Sequence, residues 1–301
     1  MPKTAFARPR SRWLDVHGPV HVADFGGQGQ PLVLLHGLGH SHAVWLAAAP
    51  RLAAGSRVIA IDLAGFGFTP IAQRSASVFA NSKLVMRVLD DMLDEPAILI
   101  GNSMGAVVSM LTAGARPEAV AGLVLVNPGL PRPYGVPLDP EVKRLFRTVF
   151  LPYAGEASIR RRWRTLGPEG LTRETLHLCC VDASRVPPEL REAMAEAARA
   201  VARTPGARLA YLEAVRSLLP LLGVTKRYDE IARGVRQPVL LIHGDQDRLV
   251  PLASAHSIVR RRRDWQLRIM ADAGHIPQLE APEEFTALVQ TWLSELGAEV
   301  A

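Results

Sequence analysis

Only two cysteines occur in the 301 residues, Cys179 and Cys180, and they are adjacent. That excludes a disulfide framework and a four-cysteine zinc site, and it suits a reducing, cytoplasmic compartment. Lysine is nearly as scarce, with four of the 35 basic residues, so the net charge of +6 is carried almost wholly by arginine. The two arginine clusters, Arg160–Arg162 with Arg164 and Arg260–Arg263, come with no zinc finger or aromatic RNA-binding motif. They read as solvated helix faces, and no nucleic-acid partner is expected. Long apolar runs are missing as well. Runs such as Pro31–Leu35 span about five residues and the longest, Ala43–Ala49, seven, against about 20 for a membrane-spanning helix. Met1–Arg12 carries bases but no apolar stretch of about seven residues directly follows, so no export signal and no membrane span are expected.

What is present is ordinary globular material, 48% apolar and 21% charged. A chain of this length buries roughly three quarters of its unfolded surface, so it needs no staples. Short runs of Val, Ile and Leu recur at Leu32–Leu35, Val58–Ile61, Ala97–Ile100, Leu123–Val126 and Val239–Ile242, each ending in a turn signal. Unbroken apolarity over four to six residues suits strands covered on both faces of a parallel sheet. Between them lie helical patterns. Val78, Leu84, Val85, Val88, Leu89 and Met92 fall on one stripe behind a Ser77 cap, a second helix follows Ser103, and a third follows Pro282 with Glu283 and Glu284 in its first turn. This alternation predicts an α/β fold, a mostly parallel sheet flanked by helices.

The alternation stops between Pro131 and Arg236, where a proline-rich entry leads into Arg- and Ala-rich helical stretches such as Pro188–Arg203 and Arg208–Leu222. The expected organisation is therefore a core of residues 1–130 and 237–301 with a helical insertion, 131–236, over the strand ends.

The strongest local signal is Gly101-Asn102-Ser103-Met104-Gly105, between a strand-like run and a helix-like one. This is the G-x-S-x-G nucleophile elbow in the context it requires. A sharp strand-to-helix turn strains the serine backbone and brings its neighbours against other chain, so the flanking positions must be small. The Met104 N–H then sits at a helix N-terminus, where negative charge is stabilised. A serine needs a base, and His275 follows the strand-like Leu267–Met270. The imidazole needs an acid to hold its tautomer, and Asp247 follows Val239–Ile242. The order nucleophile, acid, base is Ser103, Asp247, His275. A second oxyanion donor is expected in His36-Gly37-Leu38-Gly39, with the Leu38 N–H freed by its glycine neighbours.

With these segments in view, the chain resembles serine-dependent α/β-hydrolases over residues 12 to 297. The matching segments are His36–Gly39 with Trp45, Asp62–Thr69, the elbow, Gly244–Asp247 and Gly274-His275. The resemblance implies a structural role for Asp62. It implies that the acid holds the fourth place of G-x-x-D, hence Asp247 rather than Asp245. The variant with the acid after the sixth strand is disfavoured by Asn127 there. It also implies that the insertion is a helical cap lining the substrate pocket, with Tyr134, Phe146, Phe150, Trp163, Tyr211 and Leu218 as pocket candidates. Gly37, Asn102, Trp163, Val250 and Ile276 are expected to contact substrate, and the cysteines to pack in the cap.

A serine at 103 in place of an aspartate disfavours epoxide hydrolase and dehalogenase chemistry. The expected activity is cleavage of a small to medium, fairly apolar carboxylic ester through an acyl-enzyme, with a small-molecule acyl substrate and no metal or organic cofactor. The elbow Gly-Asn-Ser-Met-Gly is also similar to that of carbon–carbon bond hydrolases acting on vinylogous diketones, although Leu38–Ser41 and Ala106 depart from their pattern. A non-catalytic ligand-binding protein of this fold is the remaining alternative.

Overall fold

The protein is described by a computed structural model covering residues 8–147 and 153–300, the side chains of 299 and 300 excepted. Its strands are β1 (Arg10–Asp15), β2 (Pro19–Gly26), β3 (Pro31–Leu35), β4 (Arg57–Ile61), β5 (Ala97–Asn102), β6 (Val120–Val126), β7 (Val239–Gly244) and β8 (Gln266–Met270). They form one eight-stranded sheet in the order β1-β2-β4-β3-β5-β6-β7-β8. All neighbours from β4 to β8 are parallel, while β1 and β2 pair antiparallel at one edge. The helices, in chain order, are α1 (Ala49–Leu52), α2 (Val78–Met92), α3 (Met104–Ala115), α4 (Pro140–Phe146), α5 (Ala154–Cys179), α6 (Pro188–Arg203), α7 (Ala207–Gly223), α8 (Thr225–Gly234), α9 (Leu252–Arg261), α10 (Pro277–Glu280) and α11 (Pro282–Val300).

The continuous apolar runs have a simple physical cause. Alternate residues of a strand face opposite sides of the sheet, and here both sides are covered. On β3, Val33 and Leu35 join a core with α2, α3 and α8, whereas Leu32 and Leu34 join a second core with α1 and α11. The strands β4, β5 and β7 divide their side chains in the same way. Helix α2 starts where Ser77 Oγ accepts the Ala80 N–H at 3.2 Å.

Between β6 and β7 the chain forms α4 to α8 and no strand among the described residues. Helix α5 is interrupted at Gly167, whose φ of 62° and ψ of 177° leave the helical region just before Pro168. The end of α5 and α6 add Leu176, Leu190 and Met194 to the second core, while α7 adds Ala214, Leu218 and Leu221 to the first. The segment thus straddles the sheet rim. Helix α8 returns the chain to the core layer, with Tyr228 fully buried and its hydroxyl 4.0 Å from Met110 Sδ of α3. Because the strands run parallel, the ends of β3, β5, β6, β7 and β8 deliver His36, Ser103, Asn127, Asp247 and His275 to this same rim.

Candidate active site at the strand ends

The turn after β5 holds Ser103 at φ 54° and ψ −113°, a conformation that L-residues avoid. It is pinned by the Ser103 N–H donating to Val126 O at 3.0 Å and by Ser103 O accepting from Ala106 and Gly129 N–H, each at 3.2 Å. The glycine requirement is steric. A Cβ on Gly101 would lie 2.5 Å from Ala106 N, and one on Gly105 would lie 2.3 Å from Leu35 O.

His275 is buried after β8, its Nδ1 donating to Asp247 Oδ2 at 2.7 Å. Every oxygen of that carboxylate is occupied. Oδ1 accepts the Leu249 and Val250 N–H groups at 2.8 and 3.0 Å, and Oδ2 also accepts Asn127 Nδ2 at 2.7 Å. Burial opposes charge on Asp247, but His275, then His243 and the Val250 N–H, outweigh it and hold its carboxyl below the usual range. His243 stands 3.7 Å from Asp247 Oδ2, yet its Nε2 donates to Val250 O at 2.9 Å and burial pushes its pKa down. It is a neutral neighbour of the Asp247 carboxylate. Asp245, two residues away, is exposed and its backbone N–H bonds Met270 O.

Ser103 and His275 line one cavity of about 570 Å³ beneath α4 to α7. No hydrogen bond joins the two side chains among the described residues. Its wall is mainly apolar, with Leu38, Phe146, Trp163, Tyr211, Leu218 and Val250 among the lining residues, and no carboxylate reaches it among them. Gly37 also lines it. The N–H groups of Leu38 and Met104 make no hydrogen bond among the described residues, and Met104 opens α3, so both remain available beside Ser103.

Two expected wall residues lie elsewhere. Asn102 is fully buried below the floor, its Nδ2 donating to Val126 O at 3.1 Å and to His275 O at 3.0 Å. As the last residue of β5 it ties strand ends together instead of facing the cavity. Ile276 is likewise fully buried, capping α10 and packed in the second core. Tyr134 is fully exposed, and Phe150 lies outside the described residues. Cys179 does border the cavity, but burial, above all, pushes its thiol well up, so it stays protonated.

Sequence patterns do not disclose the parts that Asn127, His40, Glu280 and the Cys179 backbone take near the site. Cys179 O accepts the His275 N–H at 2.6 Å, and Glu280 accepts N–H groups from Gly274, Val181 and Asp182 at 2.8 to 2.9 Å. None of these belongs to a spaced pattern. Only the second histidine of His36-Gly37-Leu38-Gly39-His40, in the glycine-containing turn after β3, offered a signal.

Asp62 collects His21 Nδ1 at 2.8 Å, the His42 N–H at 2.7 Å, His42 Nδ1 at 3.0 Å and the Phe68 N–H at 3.0 Å. These three side chains are the one metal-capable group among the described residues. Both Nδ1 atoms are already spent on the Asp62 carboxylate, which makes the group a clamp on the turn after β4. No helix among the described residues is long and apolar enough to cross a membrane.

A family model described as the alpha/beta hydrolase family matches residues 32–288. A pimeloyl-[acyl-carrier protein] methyl ester esterase from Aromatoleum aromaticum is 31% identical over 274 residues, 86% of this chain and 96% of that one. A 2-hydroxymuconate semialdehyde hydrolase from a Pseudomonas strain is 28% identical over 284 residues, 90% and 89% of the two chains. Among solved structures, a thermophilic esterase from Thermogutta terrifontis superposes with a TM-score of 0.69 at 24% identity, covering 96% of this chain and 99% of that one.

Proposed function

Since the chain belongs to the alpha/beta hydrolase family, we propose that it is a serine hydrolase acting on carboxylic esters of small to medium, fairly apolar compounds. The observation that carries this reading is the shared cavity. Ser103, strained on its turn, and His275, held by Asp247 at 2.7 Å, both line an apolar space of about 570 Å³.

In the proposed reaction Ser103 Oγ attacks the ester carbonyl carbon and gives its proton to His275 Nε2. Asp247 keeps the Nδ1–H of His275 in place and stabilises the imidazolium. The oxyanion is held by the N–H groups of Leu38 and Met104, each such donor being worth about 3 kcal/mol in the transition state. The carbon–oxygen bond of the leaving group breaks, and the His275 proton passes to the departing alcohol. Water then repeats the sequence on the acyl-enzyme, releasing the acid and restoring Ser103. Residues 131–236 act as the cap, with Trp163, Phe146, Tyr211 and Leu218 on the pocket wall.

A fluorophosphonate probe tests the reading. We expect stoichiometric labelling of the wild type and none of Ser103→Ala, with p-nitrophenyl ester turnover lost in parallel. Absence of both labelling and turnover in the wild type would favour a ligand-binding role.

A second reading, hydrolysis of a carbon–carbon bond in a vinylogous diketone, draws support from the Gly-Asn-Ser-Met-Gly elbow and from the similarity to the semialdehyde hydrolase. Screening ester chain lengths beside a vinylogous diketone separates the two, because the preferred class shows the larger kcat/KM.

A further inference from the structure

His40 is a second imidazole in the cavity, and nothing in the acyl-transfer scheme uses it. It closes a tight turn, its N–H donating to Gly37 O at 3.2 Å, with Gly39 at φ 75° inside the turn. His40 lines the same space as Ser103 and His275. Its Nδ1 is enclosed by protein and has no hydrogen-bond partner among the described residues. Native interiors hold few such atoms, and each calls for an explanation.

The charge state narrows what the ring can do. Burial, reinforced by the nearby His36 and His275, pushes the His40 pKa down to about 3. The ring is therefore neutral at physiological pH and carries one N–H and one lone pair. An enclosed N–H without an acceptor is costlier and rarer than an enclosed lone pair. The proton consequently belongs on Nε2, which makes no hydrogen bond among the described residues and is not enclosed. A neutral imidazole on the wall of a mainly apolar cavity, where Arg132 and Arg162 are the charged residues of the lining, suits an uncharged oxygen acceptor. It has no charge with which to recruit a carboxylate.

The turn also sets the distance. Leu38, whose N–H is the proposed oxyanion donor, precedes His40 by two residues, so their Cα atoms are no more than about 7.6 Å apart. With His40 on the same cavity wall as Ser103 and near His275, an oxygen that meets it lies on the substrate close to the scissile carbonyl.

We infer that His40 is a substrate-binding residue that selects acyl groups bearing a hydroxyl or keto oxygen near the scissile carbonyl, the rest of the chain being alkyl. This deepens the proposed ester hydrolysis and rests on it for the identity of the scissile group.

The test uses binding, which does not depend on turnover. Dissociation constants for nonan-2-one and 4-hydroxynonan-2-one are measured by calorimetry for the wild type, His40→Phe and His40→Gln. We expect the hydroxyketone to bind the wild type about tenfold more tightly than the plain ketone, the scale of one hydrogen bond to an otherwise unpaired group. The ratio falls to about one in His40→Phe and is partly kept in His40→Gln, which retains an amide donor. In the wild type it stays constant from about pH 6 to pH 9, because the ring does not titrate there. Should His40→Phe bind neither ketone, His40→Leu takes its place. No preference in the wild type, or the same preference in wild type and apolar variant, overturns the assignment. Fluorophosphonate labelling is run alongside. Failure of labelling with the His40-dependent ratio intact sinks the serine reading alone, and labelling with a ratio indifferent to residue 40 sinks only the role given to His40.

Discussion

Asp245 and Asp247 stand two residues apart after the same strand, and their surroundings give them opposite consequences. Asp247 Oδ1 is fixed by the Leu249 and Val250 N–H groups, so its other oxygen must face His275 and Asn127. In Asp247→Asn the side-chain oxygen stays with the two backbone donors, which turns the NH₂ towards both His275 Nδ1 and the Asn127 amide. The imidazole then takes the tautomer with its proton on Nε2 and cannot accept one from Ser103. We expect kcat/KM on p-nitrophenyl butyrate to fall by about 10³–10⁴. Asp245→Asn, at an exposed side chain, should change it by less than about threefold. The reverse order in steady-state kinetics would overturn the assignment of the acid. The same contrast shows what a sequence can disclose at this scale. Ser103, Asp247 and His275 were legible because each follows a strand-like run in the chain order of a known chemistry. Asn127 was not. It donates to Asp247, 120 positions along the chain, and only folding reveals that it faces the acid.

At the scale of elements, β3 to β7 announced themselves because strands packed on both faces lack polar interruptions. Strands β1 and β2 did not. The first is mostly exposed at the sheet edge, with Trp13 half in solvent, and the second carries His21 and Asp24 at buried positions. His21 is buried because Asp62 receives its Nδ1–H, so the polar residue that hides the strand is part of what fixes it beside β4. The clamp has a pH signature. Burial disfavours the His42 imidazolium, but the charge and hydrogen bonds of Asp62, with Glu196 further off, outweigh this and raise the His42 pKa. Asp62 is buried too, and His42 and His21 hold its carboxyl well below the usual range. A raised base stabilises fully below its unfolded value of about 6.5 and loses that contribution as pH climbs through the folded value; a depressed acid stabilises above its unfolded value of about 4. The window is therefore about pH 4 to 6.5. In urea unfolding, the stability gap between wild type and His42→Gln should be widest in that window and narrow by about pH 9. A gap constant to pH 9 would remove the imidazolium from the clamp.

At the scale of the whole molecule, one buried side chain spans the helical segment and the histidine loop, beside the exposed Arg185–Asp272 ion pair that also links them. Glu280 is buried on the short α10, with Oε1 accepting the Val181 and Asp182 N–H groups just past α5 and Oε2 accepting the Gly274 N–H beside His275. Cys179 O takes the His275 N–H at 2.6 Å from the same side, and Arg185 Nη1 approaches Glu280 to 3.7 Å. The insertion's composition announced helices but not where they would be moored, since Glu280 and Val181 are 99 positions apart. Docking through backbone N–H groups leaves no complementary residue type to find at the other end. It does make the site and the insertion rise and fall together. Glu280→Ala strips acceptors from three buried or half-buried backbone donors, and each orphaned group costs about 1–3 kcal/mol. We expect the urea midpoint to drop, the amides of Val181, Asp182 and Gly274 to exchange faster as a set, and kcat to fall because His275 loses its fixed approach to Ser103. Glu280→Gln should do the same more mildly, since the amide oxygen still serves Val181 and Asp182 while its NH₂ meets the Gly274 N–H. If amide exchange at 181 and 182 accelerates while kcat and Gly274 protection stay at wild-type values, then insertion and loop are moored independently, and Glu280 is only a local cap.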